Sequence, residues 1–281
     1  MRKKNIKLIA LDLDKTLLND EGKISEDDRQ TLRRMSKKGI IVTLASGRMT
    51  DCVQPFADIL RIDTPIIAYN GAMVRNSKKN GFNILFHKPL QNSYADSIID
   101  YTDKNKFQLN YYLDDVLYAL DIPELKKYSK LYSDQTGAKY HFVPDLSEFK
   151  GKNPTKLIII TEPSIRDKLY VEFKNKYDGV VNITKTNPEY LEFMNKEVDK
   201  SIGLAALVKA YNIDMKEVMA FGDGDNDLTM VENAGVGVTV ANASDKIKSR
   251  ADYITKSTNN ESPVTEAIGF FVASRFIGTI S

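Results

Sequence analysis

The chain has 281 residues, 42% hydrophobic and 28% charged, enough apolar material for one large domain or two modest ones. Lys and Arg total 40 against 38 Asp and Glu, so a net charge of +2 offers no global field for nucleic acid or an anionic membrane. No basic block interleaved with aromatics marks a nucleic-acid surface, and the single cysteine, Cys52, excludes an intrachain disulfide and a cysteine zinc cluster.

The first residues, MRKKNIKLIALDLD, are basic, but their apolar run is short and broken by Lys7 and Asp12, unlike a secretory signal. No stretch approaches the ~20 apolar residues of a membrane span. A soluble, cytoplasmic protein is expected. Ile6–Leu11 reads as a buried strand ending at Asp12. Ser25 caps a helix running to about Lys38, with Asp28 at the third position of a capping box. Gly39 stops it, and Ile40–Leu44 is a second strand. A turn at Ser46-Gly47-Arg48 leads to a helix ending near Leu60, then to the strand Ile66–Ala68 and Tyr69-Asn70-Gly71. Strand, helix, strand, helix, strand indicates a parallel sheet with right-handed crossovers.

The rhythm changes after Gly71. Ala72–Asn76 and Ile84–His87 read as a hairpin around Asn76–Gly81. A mixed α+β segment follows: helices at Leu90–Asn105, Pro123–Thr136 and Pro163–Lys176, and strands at Gln108–Leu113, Val116–Leu120, Lys139–Val143, Lys156–Ile160, Val180–Thr184 and Tyr190–Met194. Alternation resumes with the helix Lys200–Tyr211, the strand Val218–Phe221, the helix Asp225–Asn233 and the strand Gly235–Val238. Ser244–Arg250, Tyr253–Thr255 and a last helix Val264–Phe276 complete the pattern. The outer thirds are therefore expected to form one α/β domain interrupted by a second.

Three strand ends carry polar clusters: Asp12-Leu13-Asp14-Lys15-Thr16, Ser46-Gly47 and Gly222-Asp223-Gly224-Asp225-Asn226-Asp227. Ligands of open parallel sheets bind beyond such carboxyl ends. Asp12 and Asp14, joined by Asp223 and Asp227, would repel one another unless a cation intervened. Oxygen-only donors without His or Cys favour Mg2+ over zinc. A metal beside a carboxylate suits phosphoryl transfer, with Asp12 attacking phosphorus and Asp14 protonating the leaving oxygen and later activating water. Ser46 and nearby backbone N–H groups such as that of Gly47 would bind phosphoryl oxygens. Lys200, near a helix start, would add positive charge.

These segments resemble the haloacid dehalogenase-like phosphatases, specifically the Cof-type subfamily with a type-IIB (C2) cap. Its DxDx(T/V) motif matches Asp12–Thr16, its Ser or Thr at a strand end matches Ser46, its helix-start Lys matches Lys200, and its GDxxND motif matches Gly222–Asp227. Tyr69-Asn70-Gly71-Ala72 looks like the family's passage into its cap. The resemblance implies a Rossmann-like core at residues 1–84 and 191–281 and a cap at 85–190. It implies Asp12 as nucleophile and metal ligand, Asp14 as acid/base with its backbone carbonyl on the metal, and Asp223 as the third protein ligand. Asn226 would contact the nucleophile or the phosphoryl group, and Asp227 would stand behind the ligands. A small phosphorylated metabolite, by resemblance a sugar phosphate, would be the substrate. Phosphotransfer to a sugar hydroxyl, as in a phosphomutase, and non-catalytic binding remain open at this point. Two departures stand out: Lys15 where many members carry Gly, and Glu261-Ser262-Pro263-Val264 in place of Asp-Gly-Val.

Other conspicuous residues read as structural. His87 and His141 lack carboxylate or Cys partners at ligand spacing, and Cys52 lies in a helix without a nearby His. Tyr111, Tyr112 and Tyr118 are packing or surface aromatics. Glu192 reads as structural and Asp225 as a plain helix-start charge.

Overall fold

The structure is a computed structural model that describes residues 4–77 and 80–272. Its strands are β1 Leu8–Leu11, β2 Ile41–Leu44, β3 Ile66–Ala68, β4 Met73–Arg75, β5 Ile84–His87, β6 Gln108–Leu113, β7 Val116–Leu120, β8 Tyr140–Val143, β9 Lys156–Ile160, β10 Val181–Lys185, β11 Tyr190–Asn195, β12 Val218–Gly222, β13 Val236–Thr239 and β14 Tyr253–Ile254. Its helices are α1 Glu26–Lys37, α2 Thr50–Leu60, α3 Asn92–Asn105, α4 Lys126–Thr136, α5 Pro163–Lys176, α6 Lys200–Ala210, α7 Leu228–Asn233, α8 Asp245–Lys248 and α9 Pro263–Phe271. The expected last helix ran to Phe276; residues 273–276 lie outside the described residues. Among the described residues no helix is long and apolar enough to cross a membrane.

The chain divides into two compact units, one ending at Phe86 and resuming at Asp199, the other His87–Val198. In the first, the order β14-β13-β12-β1-β2 is parallel throughout. Every residue of β1 is fully buried, as a continuous Leu-Ile-Ala-Leu run requires of a parallel strand covered on both faces. The order reverses at β1: its chain successor β2 lies on one side and the distant β12 on the other. That switch point opens a crevice beyond the carboxyl ends.

β3 departs from the expected sheet. It pairs antiparallel with β4 in a separate three-stranded sheet, and among the described residues a single parallel bridge, Ala45↔Ile67, ties it to the residue that follows β2. The expected capping box on α1 is half formed. Ser25 Oγ accepts from Asp28 N–H at 3.2 Å, but the buried Asp28 carboxylate accepts from Thr265 N–H at 2.7 Å, joining α1 to the first turn of α9. The expected helix at Asp225–Asn233 begins as a 3-10 turn over Asp225–Asp227 before α7.

The second unit holds the sheet β10-β11-β9-β6-β7-β8, antiparallel except for the β7–β8 pair. Ile98 of α3 and Phe173 of α5 join Leu109, Leu157 and Phe193 of the strands in one apolar cluster. β11 pairs along its length with β10 and reaches β9, so residues 191–198 belong to this unit and its boundary lies at Val198 rather than 190.

Candidate active site

β1 delivers Asp12 to the crevice, its N–H donating to Phe221 carbonyl at 3.0 Å and so extending the β1–β12 ladder by one residue. β12 delivers Asp223, and the turn after it returns Asp227 beneath the same point. The return is tight: a Cβ on Gly222 would lie 2.3 Å from Asp227 Cβ, so only glycine fits there. Asp227 Oδ2 accepts from the N–H groups of Asp223 and Gly224, both at 3.1 Å.

Lys200, the first residue of α6, is fully buried and lies between two carboxylates, 2.5 Å from Asp12 Oδ1 and 2.5 Å from Asp227 Oδ1. A cation at a helix start opposes the helix dipole. Its N-cap, Asp199, accepts from Ile202 N–H at 3.0 Å. That cap is seated against the Tyr69–Gly71 turn. Gly71 has φ +93°, and a Cβ there would fall 2.0 Å from the Asp199 carbonyl oxygen.

Asp223 Oδ1 accepts from Thr16 Oγ1 at 3.2 Å. Oxygens of Asp12, Asp223 and Asp227 lie within 4.8 Å of one another. Burial and the charge of Asp227 push the Asp12 carboxyl well above its ordinary value, against the pull of Lys200. Burial, then Asp227, pushes Asp223 up to about 6. Burial opposes the Lys200 charge, but Asp12 and Asp227 outweigh it and hold the ammonium above its usual range. Three carboxylates thus face one ammonium. The unbalanced negative charge and the all-oxygen donor set fit a hard divalent cation. Both oxygens of Asp227 already accept hydrogen bonds, which leaves Asp12 and Asp223 as the better direct ligands.

Asp14 stands apart from that cluster. Its exposed carboxylate takes a two-pronged ion pair from Arg48, Nη2 to Oδ1 at 2.5 Å and Nε to Oδ2 at 3.0 Å. The Arg48 N–H donates to the buried Ser46 Oγ at 3.2 Å, so one turn after β2 holds both the Ser and the partner of Asp14. Asn226 Nδ2 donates to Asn70 Oδ1 at 3.1 Å, and Asn70 abuts Gly47, where a Cβ would lie 3.0 Å from the same oxygen. The eight residues expected at the site therefore form three linked groups: Asp12, Lys200, Asp223 and Asp227; Asp14 with Ser46 through Arg48; and Gly47 with Asn226 through Asn70.

A family model for haloacid dehalogenase-like hydrolases matches residues 9–268. The chain belongs to that family. It is 30% identical over 270 residues to the 5-amino-6-(5-phospho-D-ribitylamino)uracil phosphatase YcsE of Bacillus subtilis, covering 95% of this chain and 96% of the relative. It is 31% identical over 278 residues to phosphatase YwpJ of the same organism, covering 91% and 96%. Among solved structures, TM0651 from Thermotoga maritima superposes with a TM-score of 0.86 at 34% identity, covering 95% of this chain and 98% of that one. This haloacid dehalogenase-like hydrolase is a Cof-type phosphatase with an α/β core and a separate α+β unit.

Both departures from the family pattern fall at left-handed backbone. Lys15 has φ +63° and Ser262 φ +64°, positions where glycine pays no steric penalty and an L side chain does. Sequence reasoning did not place Arg48 or Asn70 at the site, although both stand in turns it singled out, Ser46-Gly47-Arg48 and Tyr69-Asn70-Gly71; the structure sets them against Asp14 and Asn226. The residues read as structural have structural partners. Asp225 pairs with Lys246 at 2.9 Å, Glu192 takes Thr186 Oγ1 at 3.0 Å, and Tyr112 bonds Tyr132 at 2.7 Å.

Proposed function

We propose that this phosphatase hydrolyses phosphomonoesters of small sugar or polyol metabolites with Mg2+, through an aspartyl-phosphate on Asp12. The observation that carries this reading is the buried Asp12–Lys200–Asp227 bridge at the strand switch point, with Asp223 beside it. Asp12 and Asp223 side chains, with the Asp14 main-chain oxygen, would hold the cation. Bound there, Mg2+ supplies the positive charge that lets an anionic carboxylate approach a phosphate dianion.

In the first half-reaction an Asp12 carboxylate oxygen forms a bond to phosphorus as the bond to the substrate oxygen breaks. Asp14 gives its proton to that departing oxygen, so the leaving group departs as an alcohol. In the second, Asp14 takes a proton from water as the water oxygen bonds to phosphorus, and the Asp12–phosphorus bond breaks to release phosphate. Lys200 keeps Asp12 oriented and offsets charge on the phosphoryl oxygens. Ser46, the Gly47 N–H and Asn226 are the remaining phosphoryl contacts. Asp227 aligns Lys200 and the Asp223 backbone.

The unit His87–Val198 takes the role of the cap, and a cytoplasmic location completes the proposal. The substrate class is supported by the phosphorylated ribityl chain in the name of the 30%-identical B. subtilis relative. Phosphate release from a panel of sugar and polyol phosphates, with Mg2+ and with EDTA, tests it. Metal-dependent turnover concentrated in that class is expected. Metal-independent release, or preference for nucleotides, would refute the corresponding part.

A further inference from the structure

The segment bearing Asp14 is held from outside by side chains that have no part in the chemistry above. After Asp12 the chain turns sharply, and the N–H groups of Thr16, Leu17 and Leu18 all donate to Leu13 carbonyl, at 3.3, 3.1 and 2.8 Å. Lys15 lies at the tip with φ +63°. In that region Cβ crowds the neighbouring carbonyl oxygen, so a lysine stays there only if its surroundings hold it.

Two loops supply that hold. Asn242, after β13, donates from Nδ2 to the Lys15 carbonyl at 2.9 Å. Its Oδ1 accepts from Asn259 N–H at 2.9 Å. The Asn259 side chain, buried before α9, donates to Leu18 carbonyl at 3.0 Å and to Asp20 Oδ1 at 3.1 Å. Asn260 exchanges bonds with Asp20 in both directions, each at 3.0 Å. Both sides of the Lys15–Asp20 turn are thus tied to the same pair of loops. Lys15 shares a peptide bond with Asp14, so relaxation at Lys15 rotates the Asp14 main chain and swings its carboxylate relative to Asp12.

We propose that Asn242 and Asn259 are positioning residues for phosphoryl transfer: they keep Lys15 in its left-handed conformation and thereby fix Asp14 against Asp12. This rests on the roles given above to Asp12 and Asp14. It has a specific consequence. Glycine adopts φ +63° without penalty, so Lys15→Gly makes the brace dispensable.

The test uses the exposed Asn242, whose replacement leaves the core untouched. Asn242→Ala removes the brace, and Asn242→Asp keeps the acceptor for Asn259 while removing the donor to Lys15. kcat and KM for p-nitrophenyl phosphate with Mg2+ are measured beside hydrogen exchange of the 13–20 amides by mass spectrometry. Both variants are expected to lower kcat about three- to tenfold with KM nearly unchanged, since misplacement of a reacting group acts on the chemical step. Exchange at Thr16–Leu18 should accelerate. Adding Lys15→Gly should return kcat and exchange to within about twofold of Lys15→Gly alone. Unchanged kcat and exchange in Asn242→Ala, or the same loss with Lys15 and with Gly at that position, would overturn the proposal. Wild-type enzyme inert towards the probe would count against the reading of the site, while the exchange measurements would still decide whether the brace exists.

Discussion

Lys200→Met is the perturbation that separates a working cluster from a solvated helix-end lysine. Methionine preserves the aliphatic stem and removes the ammonium from between Asp12 and Asp227, both within 2.5 Å and all three buried. Removing one member of a buried ion pair costs about 3–5 kcal/mol, because the remaining charges stay desolvated. Relief of the unfavourable helix-start cation returns about 0.3–1 kcal/mol. The expected net loss is therefore about 2–5 kcal/mol, a large share of the ~5–15 kcal/mol that stabilises a typical domain. Urea unfolding in metal-free buffer reads it directly. Its pH dependence has a fixed sign. Asp12 already ionises above its ordinary 3.8, through burial and the charge of Asp227, and loss of Lys200 raises it further. A carboxyl raised in the folded state penalises folding fully above its folded pKa and not at all below its unfolded one. Below about pH 8 the Asp12 carboxyl is protonated in both folded proteins, so the deficit of Lys200→Met should be level from about pH 5 to 8 and widen above about pH 8, where only the parent's Asp12 ionises. An unchanged or more stable variant, or a deficit that fails to widen as the pH rises above about 8, would refute the buried bridge.

Other outcomes follow from the same geometry. Asp223 ionises only near about 6, so magnesium should raise the melting temperature little at about pH 5 and progressively more through pH 6 to 7.5; a pH-independent shift would remove Asp223 from the cation site. Gly71→Ala should cost ~3 kcal/mol or more, because its Cβ meets the Asp199 carbonyl. Gly137→Ala, with similar φ and open space, should cost only about 1–2 kcal/mol; equal chemical-denaturation losses would contradict the close approach. Arg48→Ala should lower kcat about 10–100-fold while costing at most about 1 kcal/mol of stability, since the Asp14 side of its ion pair is exposed and the Arg48 side only half-buried. Steady-state kinetics and thermal melts check both halves.

What the sequence made legible was set by local rules. The apolar run into Asp12 and the strand ending at Asp223 were visible because buried parallel strands are continuous in apolar residues and their polar successors stand out. The resemblance then gathered Ser46 and Lys200, which no periodicity connects to them. β3 was read into the parallel sheet because an Ile-Ile-Ala strand looks the same whether it pairs along its length or through one bridge. The boundary at 190 fell short because Tyr190–Asn195 is equally apolar in either unit, and only its pairing with β9 and β10 assigns it. The Arg48 grip on Asp14 and the left-handed turns at Lys15 and Ser262 depend on backbone direction, which composition does not encode.

The most direct test is chemical trapping of the nucleophile. The enzyme is mixed with Mg2+ and a phosphate-labelled substrate, quenched in acid, digested and mapped by mass spectrometry. Acid-stable, hydroxylamine-labile label on the peptide containing Asp12, absent from a folded and inactive Asp12→Asn variant, is the expected result. Label on another residue, or near-normal turnover by Asp12→Asn, would contradict an aspartyl-phosphate at the end of β1.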